Sequence, residues 1–241
     1  MIVSMQQPNW LPWLGYFHRM AEADLFVFAD TVAFSKRSYT QRVRIKTRKE
    51  PKWLSLPVIH TGRLGERILD LELGGPPAWR TDLLDQLRGH YNCCPHFKRY
   101  FPPLADLILS TPPLLAEFNI RLIKYLAAEL DIRTPTVRAS ALHQDHLLGR
   151  PTDWIIGVCH EVGAETYLSG KGGANYQDEA AYARNHIRLV YSGFQHPVYP
   201  QPHGEFVPGL SVVDLLFNCG EASGEILRRG HPSVGSLTSI S

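Results

Sequence analysis

Four segments of the chain concentrate side chains able to do chemistry. The first, Gln6-Gln-Pro-Asn-Trp-Leu-Pro-Trp-Leu-Gly-Tyr-Phe-His18, is stiffened by two prolines and offers Gln7, Asn9 and His18 as hydrogen-bonding groups. Its aromatic residues, Trp10, Trp13, Tyr16 and Phe17, read as packing of the loop onto a core, and Gly15 as a place of close approach at a helix start. The second runs from Asp30 to Ser38 and on through Gln41, Arg42 and Arg44. Lys36 and Arg37 suit a phosphate, one as a point charge and the other as a planar fork, with Asp30 as a carboxylate at a strand end. The third, Tyr167-Leu-Ser-Gly-Lys-Gly-Gly-Ala-Asn-Tyr176, puts Ser169, Gly170, Lys171 and Tyr176 in a glycine loop between a strand and a helix. Such loops cradle anions with backbone N–H groups, although the spacing here is neither G-x-x-x-x-G-K-[ST] nor G-x-G-x-x-G. The fourth, His196-Pro-Val-Tyr-Pro-Gln-Pro-His-Gly-Glu-Phe-Val-Pro208, holds His196, Tyr199, Gln201, His203 and Glu205 on an extended, proline-rich segment. Imidazole titrates near neutrality, so His196 oriented by Glu205 is a candidate general base, with His18 and Asp30 as further catalytic candidates.

Other chemistries find less support. Cys159 and His160 are neighbours inside an expected helix, where adjacent side chains point apart, and Cys94 with His96 is no stronger a pair. There is no G-x-S-x-G to support a serine hydrolase, and although the histidines and glutamate of the fourth segment leave metal binding open, no H-E-x-x-H or similar ligand spacing supports it.

The elements that must position these segments read as α/β. Residues 2–5 form a short apolar strand, 14–23 a helix and 24–30 an apolar run bounded by carboxylates, giving β-loop-α-β. Residues 42–45 and 53–58 read as a hairpin around a basic turn. Apolar residues then recur at helical spacing, predicting three helices over 79–130, with Pro102-Pro103 and Pro112-Pro113 both at helix starts. A strand at 136–139, a helix at 152–162, a strand at 165–169, a helix near 177–184 and a strand at 187–191 make a second β-loop-α-β. The expected architecture is a mainly parallel, Rossmann-like sheet with flanking helices, a basic β-hairpin and a helical insertion at 79–131. One domain spans 1–230, with a mobile tail at 231–241.

With 241 residues, 44% of them hydrophobic, the chain can bury one sizeable core. Its four cysteines are too few to staple it and form no C-x-x-C, and no signal-peptide-like start or long apolar run is present. A cytoplasmic protein without a membrane span is therefore expected. The formal charge of +2 conceals a basic strip, since residues 36–52 hold eight Lys or Arg and one acid, Glu50. Such a strip attracts a phosphate, a nucleotide sugar or an acidic carrier protein. Basic and aromatic residues do not interleave beyond it, which speaks against nucleic acid.

The stretches QPNWLPWLGYFHRM, FSKRSYTQRVRIK, TYLSGKGGANYQD and HPVYPQPHGEFVPGLSVVDLLFN resemble, in this order, the motifs of the WbqC-like family of bacterial proteins. That resemblance implies a transferase acting on amino sugars or amino acids, associated with surface-polysaccharide and specialised-metabolite gene clusters. The leading expectation is an acyl or aminoacyl transferase that joins an amino-acid-derived group to an amine-bearing small molecule, with a phosphopantetheinyl or other acidic carrier as a candidate partner. In layout the first segment is also similar to the H-x-G-H region of HUP-type nucleotidyltransferases and ligases, with Trp13 and Tyr16 where both histidines would stand. The alternative expectation is accordingly a ligase or nucleotidyltransferase that uses ATP with magnesium, and a third is a non-catalytic carrier-binding protein. No other cofactor is implied.

Overall fold

The computed structural model describes residues 1–63, 65–175 and 177–229. In chain order its elements are β1 (Ile2–Gln6), α1 (Leu14–Ala21), β2 (Leu25–Phe28), β3 (Arg42–Ile45), β4 (Lys52–Ser55), β5 (Val58–Ile59), β6 (Glu72–Leu73), α2 (Trp79–Tyr91), α3 (Phe97–Ser110) and α4 (Leu115–Glu129). They continue with β7 (Thr136–Arg138), α5 (Pro151–Glu161), β8 (Thr166–Ser169), α6 (Glu179–Arg184), β9 (Arg188–Tyr191), α7 (Val212–Cys219) and α8 (Ser223–Arg228).

Five strands form a wholly parallel central sheet in the order β7-β2-β1-β8-β9. Successive side chains of a strand point to opposite faces, and the inner strands β1, β2 and β8 are buried on both. Val3, Met5, Val27 and Tyr167 meet Trp154, Ile155, Val158 and Tyr182 from α5 and α6 on one face. Phe26 and Phe28 meet Tyr16 and Phe17 of α1, and the larger cluster continues into α2, α3, α4 and α7 on the other. This two-sided burial is why the strands read as apolar runs without alternation. The hairpin is antiparallel, with Arg42 opposite Ser55 and Ile45 opposite Lys52.

The helical middle third is part of the core. Leu115, Phe118, Leu122, Ile123 and Leu126 form one buried stripe of α4, at the spacing a helix needs to pack one face. The proline expectation is half corrected. Pro112-Pro113 precedes α4, but Pro102 and Pro103 lie inside α3. Both are exposed, so the carbonyls that lose their helical donors face water, where the loss is tolerated. Helix α6 begins at Glu179 rather than 177, because the Asp178 carboxylate accepts the Ala181 N–H at 3.1 Å and caps it.

The sequence gives no periodic signal for α7. Val212, Val213, Asp214, Leu215, Leu216 and Phe217 are all buried, so the helix has no polar face to alternate against. The expected tail at 231–241 lies outside the described residues. Among the described residues no helix is long and apolar enough to cross a membrane.

Candidate functional site

The chain fills β1, β2 and β7 in one direction and then returns to the other side of β1 for β8 and β9. The loops leaving β1 and β8 therefore diverge, and the crevice between them is where open α/β sheets bind ligands. A cavity of about 1390 Å³ occupies this position. Gln6, Gln7, Ser169, Gly170, Thr31 and Ser192, from the ends of four parallel strands, all line it.

The first loop is built to hold its shape. Leu11 sits at φ 37°, a conformation L residues avoid, and its side chain is fully buried, so packing imposes the bend. Trp13 lays its indole over Gly15, where an added Cβ would fall 2.4–2.8 Å from three ring atoms. That is the close approach expected of Gly15, and it makes Trp13 part of the cavity wall. Asn119, from the middle of α4, donates to the carbonyls of Pro8 at 2.8 Å and Thr40 at 2.9 Å. The Thr40 hydroxyl donates to Oε1 of Gln7 at 3.0 Å, and Trp10 N–H donates to the Tyr39 carbonyl at 2.9 Å. One buried amide thus ties together the loops after β1 and β2.

On the opposite wall the Ser169 hydroxyl donates to its neighbour's carbonyl at 3.1 Å, and a Cβ on Gly173 would fall 2.3 Å from that hydroxyl oxygen. Gly170 lies against Arg19, whose guanidinium carbon would be 3.2 Å from a Cβ there. These glycines leave room for the serine and arginine beside the cavity.

Electrostatics give the site its character. Arg19, Arg37, Arg42, Arg67 and Lys171 line the cavity, and among the described residues no aspartate or glutamate does. Arg67 is held by Asp70 at 2.7 Å and Asp145 at 3.6 Å. Arg42 lies 4.1 Å over the Trp53 ring. A cleft lined by one sign of charge with apolar walls focuses potential and draws in anions.

Of the residues expected from sequence, Gln7, Asn9, Arg37, Ser169, Gly170 and Lys171 line this cavity. His18 stands one residue behind it, with Nδ1 3.3 Å from Oγ of Ser192, which does line it. Tyr176 lies outside the described residues.

The remaining candidates are used elsewhere. Asp30 is completely buried and accepts from Arg138 Nε at 2.7 Å, from the Ser140 hydroxyl at 2.7 Å and from Ser140 N–H at 2.9 Å. It joins the ends of β2 and β7, and the neighbouring Thr31 faces the cavity instead. Lys36 is exposed and outside the lining. Gln41 bridges Arg37 N–H and the Leu56 carbonyl, at 3.1 Å each, and Arg44 contributes its carbonyl to Ser211 N–H at 2.9 Å.

The expected pairing of His196 with Glu205 is not formed. The His196 Nδ1 lies 2.9 Å from the carbonyl of its own neighbour Pro197, its ring packs among Phe194, Tyr199 and Phe206, and burial holds it below the usual imidazole range. Glu205 is exposed and offers its backbone carbonyl to Lys46. The proline-rich segment is instead pinned from within. Tyr199 donates its hydroxyl to Asp214 at 2.9 Å, while Gln201 brackets Val207 with two hydrogen bonds and accepts from Lys46 at 3.3 Å. Lys46, counted in the basic strip, is only 3% exposed and belongs to this network.

Thiol chemistry finds no support at Cys94 or Cys159, since burial pushes both thiols up to about 12. Ser192, Arg19 and Asn119 were missed by sequence reasoning. Ser192 and Arg19 sit among residues with no motif spacing, and Asn119 lies on an otherwise apolar helix face, where a buried amide signals a partner to satisfy.

The sequence model of the WbqC-like protein family matches residues 7–226, from the first cavity loop into α8. The chain belongs to the WbqC-like family. This WbqC-like chain is also similar to the uncharacterized protein Rv1507c of Mycobacterium tuberculosis (strain ATCC 25618 / H37Rv), with 30% identity over 230 residues that cover 94% of this chain and 97% of that protein. No solved structure is a significant match. The family match begins at Gln7 and so takes in every loop that lines the cavity of the WbqC-like chain.

Proposed function

We propose that this WbqC-like chain is a transferase that draws a phosphate-bearing donor into the switch-point cavity and passes its acyl or aminoacyl group to an amine. The observation that carries this reading is the cavity's charge: five cationic residues line it and, among the described residues, no carboxylate does. A donor of the nucleotide or phosphopantetheine type supplies the matching negative charge, and Trp13, Trp154 and Phe194 supply apolar wall for its uncharged part.

In this reading Lys171 and Arg19, beside the glycine loop, hold the phosphate, and Gln7 at the end of β1 orients the carbonyl to be attacked. The amine's nitrogen forms the new bond to the acyl carbon as the bond to the leaving group breaks. The amine's proton passes to Ser192 Oγ while the hydroxyl proton moves to His18 Nδ1, and the imidazolium later returns a proton to Ser192 Oγ as that hydroxyl protonates the leaving group. Ser192 and His18 thus replace His196 and Glu205 in the proton-handling role, because Ser192 lines the cavity and His18 lies directly behind it.

A second reading, nucleotide-dependent ligation or nucleotidyl transfer, is favoured by one specific observation: the glycine loop follows β8 at the switch point beside β1, the position that holds nucleotide phosphates in doubly wound sheets.

The test is a thermal-shift screen against coenzyme A thioesters, nucleotide sugars, amino acids and ATP with magnesium. A ligand at about 100 times its dissociation constant stabilises by about 2.7 kcal/mol, enough to read as a shift of several degrees in a domain of moderate size. A shift with thioesters or amino-sugar ligands supports the transferase, and a shift with ATP and magnesium alone replaces it with the second reading. No shift with any of them refutes both.

A further inference from the structure

Three of the cations lining the cavity, Arg37, Arg42 and Lys171, enter no ion pair among the described residues. They fall into two groups. Lys171 follows β8 on one side of β1, whereas Arg37 lies in the loop that follows β2 on the other side, leading into β3 and Arg42. Neighbouring strands are about 5 Å apart, so the ends of β2 and β8 are separated by about 10 Å. The two groups approach the cavity from opposite sides of β1.

The Arg42 group has a construction of its own. Its guanidinium lies 4.1 Å over Trp53, and its Nε is buried without a hydrogen-bond partner. The Trp53 ring is 6.0 Å from that of Tyr39, and the two are 38% and 49% exposed. A guanidinium held over an indole is restricted before any ligand arrives, so less freedom is lost when it binds an oxyanion.

We infer that Arg42, with Arg37 beside it and Trp53 and Tyr39 as its apolar backing, is a second oxyanion subsite, distinct from the glycine loop. It takes the phosphate or carboxylate of the amine-bearing acceptor where that anion adjoins a flat or apolar group. The acceptor is therefore itself an anion, and the two substrates enter from opposite sides of β1. This assignment rests on the reading of the cavity as the substrate site.

The test uses the full chain with phenyl phosphate and benzoate as probes, titrated by tryptophan fluorescence and calorimetry, on wild type, R42Q, R42K and K171Q. Circular dichroism first establishes that each variant is folded, and R42K keeps the charge if R42Q is not. The expected result is binding of at least one probe that weakens about tenfold in R42Q and a few-fold in R42K, where the planar fork is lost, and stays within about twofold in K171Q. The relative strength of the two probes distinguishes a phosphate ester from a carboxylate. Equal binding by wild type and both Arg42 variants overturns the subsite, as does binding of neither probe by wild type. The donor screen fails separately: donors that stabilise wild type, in a chain that binds neither probe, leave the transferase reading standing without this subsite. Probe binding that needs Arg42 in a chain no donor stabilises leaves the subsite without the transferase.

Discussion

Asp214 gives a quantitative test of how the proline-rich segment is held. Its carboxyl is completely buried in the first turn of α7, where it accepts the Tyr199 hydroxyl at 2.9 Å. Burial raises its pKa from the ordinary 3.8 to about 6, against the opposing effects of hydrogen bonds from Tyr199, Tyr91 and Gln201 and of the charge on Lys46. The folded chain therefore keeps this proton up to about pH 6, while the unfolded chain releases it near pH 4. Between those values the native state binds more protons, so stability falls as pH rises, and the contribution is complete only below the unfolded value. A shift of about two units at about 1.4 kcal/mol each amounts to about 3 kcal/mol lost between pH 4 and pH 7. The perturbation is Asp214→Asn, which keeps an acceptor for Tyr199 and removes the titration. Urea unfolding of both proteins from pH 4 to pH 7.5 gives the difference in stability, in which carboxylates elsewhere cancel. The variant is expected to gain on wild type by about 3 kcal/mol across that range. A difference that stays constant with pH, or drifts the other way, refutes the argument that burial dominates this carboxyl.

Three further outcomes follow from the geometry. Gly15→Ala places a methyl within 2.8 Å of the Trp13 indole, so the chain should lose about 1–3 kcal/mol in urea unfolding, and the displaced wall should abolish ligand-induced thermal shifts. Asn119→Ala removes the donor for the buried Pro8 and Thr40 carbonyls and should cost about 1–3 kcal/mol for each one left unpaired, read from the shift of the urea midpoint. Iodoacetamide at pH 8 should alkylate exposed Cys93 first, with His203 Nε2 3.9 Å from its sulfur, and leave Cys94 and Cys159 unmodified until the chain unfolds, as followed by peptide mass spectrometry.

The parallel sheet was legible because its strands are buried on both faces and bounded by carboxylates and glycines, so residues 24–30 and 165–169 announce themselves without any partner in view. Gln7, Ser169 and Lys171 come to line the cavity for the same reason: a loop that leaves a parallel strand at its C-terminal end has one place to go. His196 and Glu205 do not pair because proximity along a stiff segment is not proximity in space. An extended chain separates residues nine apart by about 30 Å at full stretch, and only a fold-back directed at His196 could pair them. The actual partners of that segment, Lys46 and Asp214, come from the hairpin and α7, which no local spacing connects to it. Asp30 stood at the right edge of the sheet but on the wrong side of its loop, a choice decided by Arg138, more than a hundred residues away.

The amide of Asn119 has a consequence for how the cavity can move. Both loops it fastens are rooted in α4, a helix whose apolar stripe is part of the largest core. Releasing either loop exposes a buried carbonyl, so the loops cannot open as a lid while the helix stays in place. The wall they form should exchange its amide hydrogens with the cooperative unit of the helical layer, on the timescale of global unfolding rather than of loop motion. Among the described residues the glycine loop beyond β8 has no such fastening to α4, so that side of β1 is the one free to move while the helical layer stays in place.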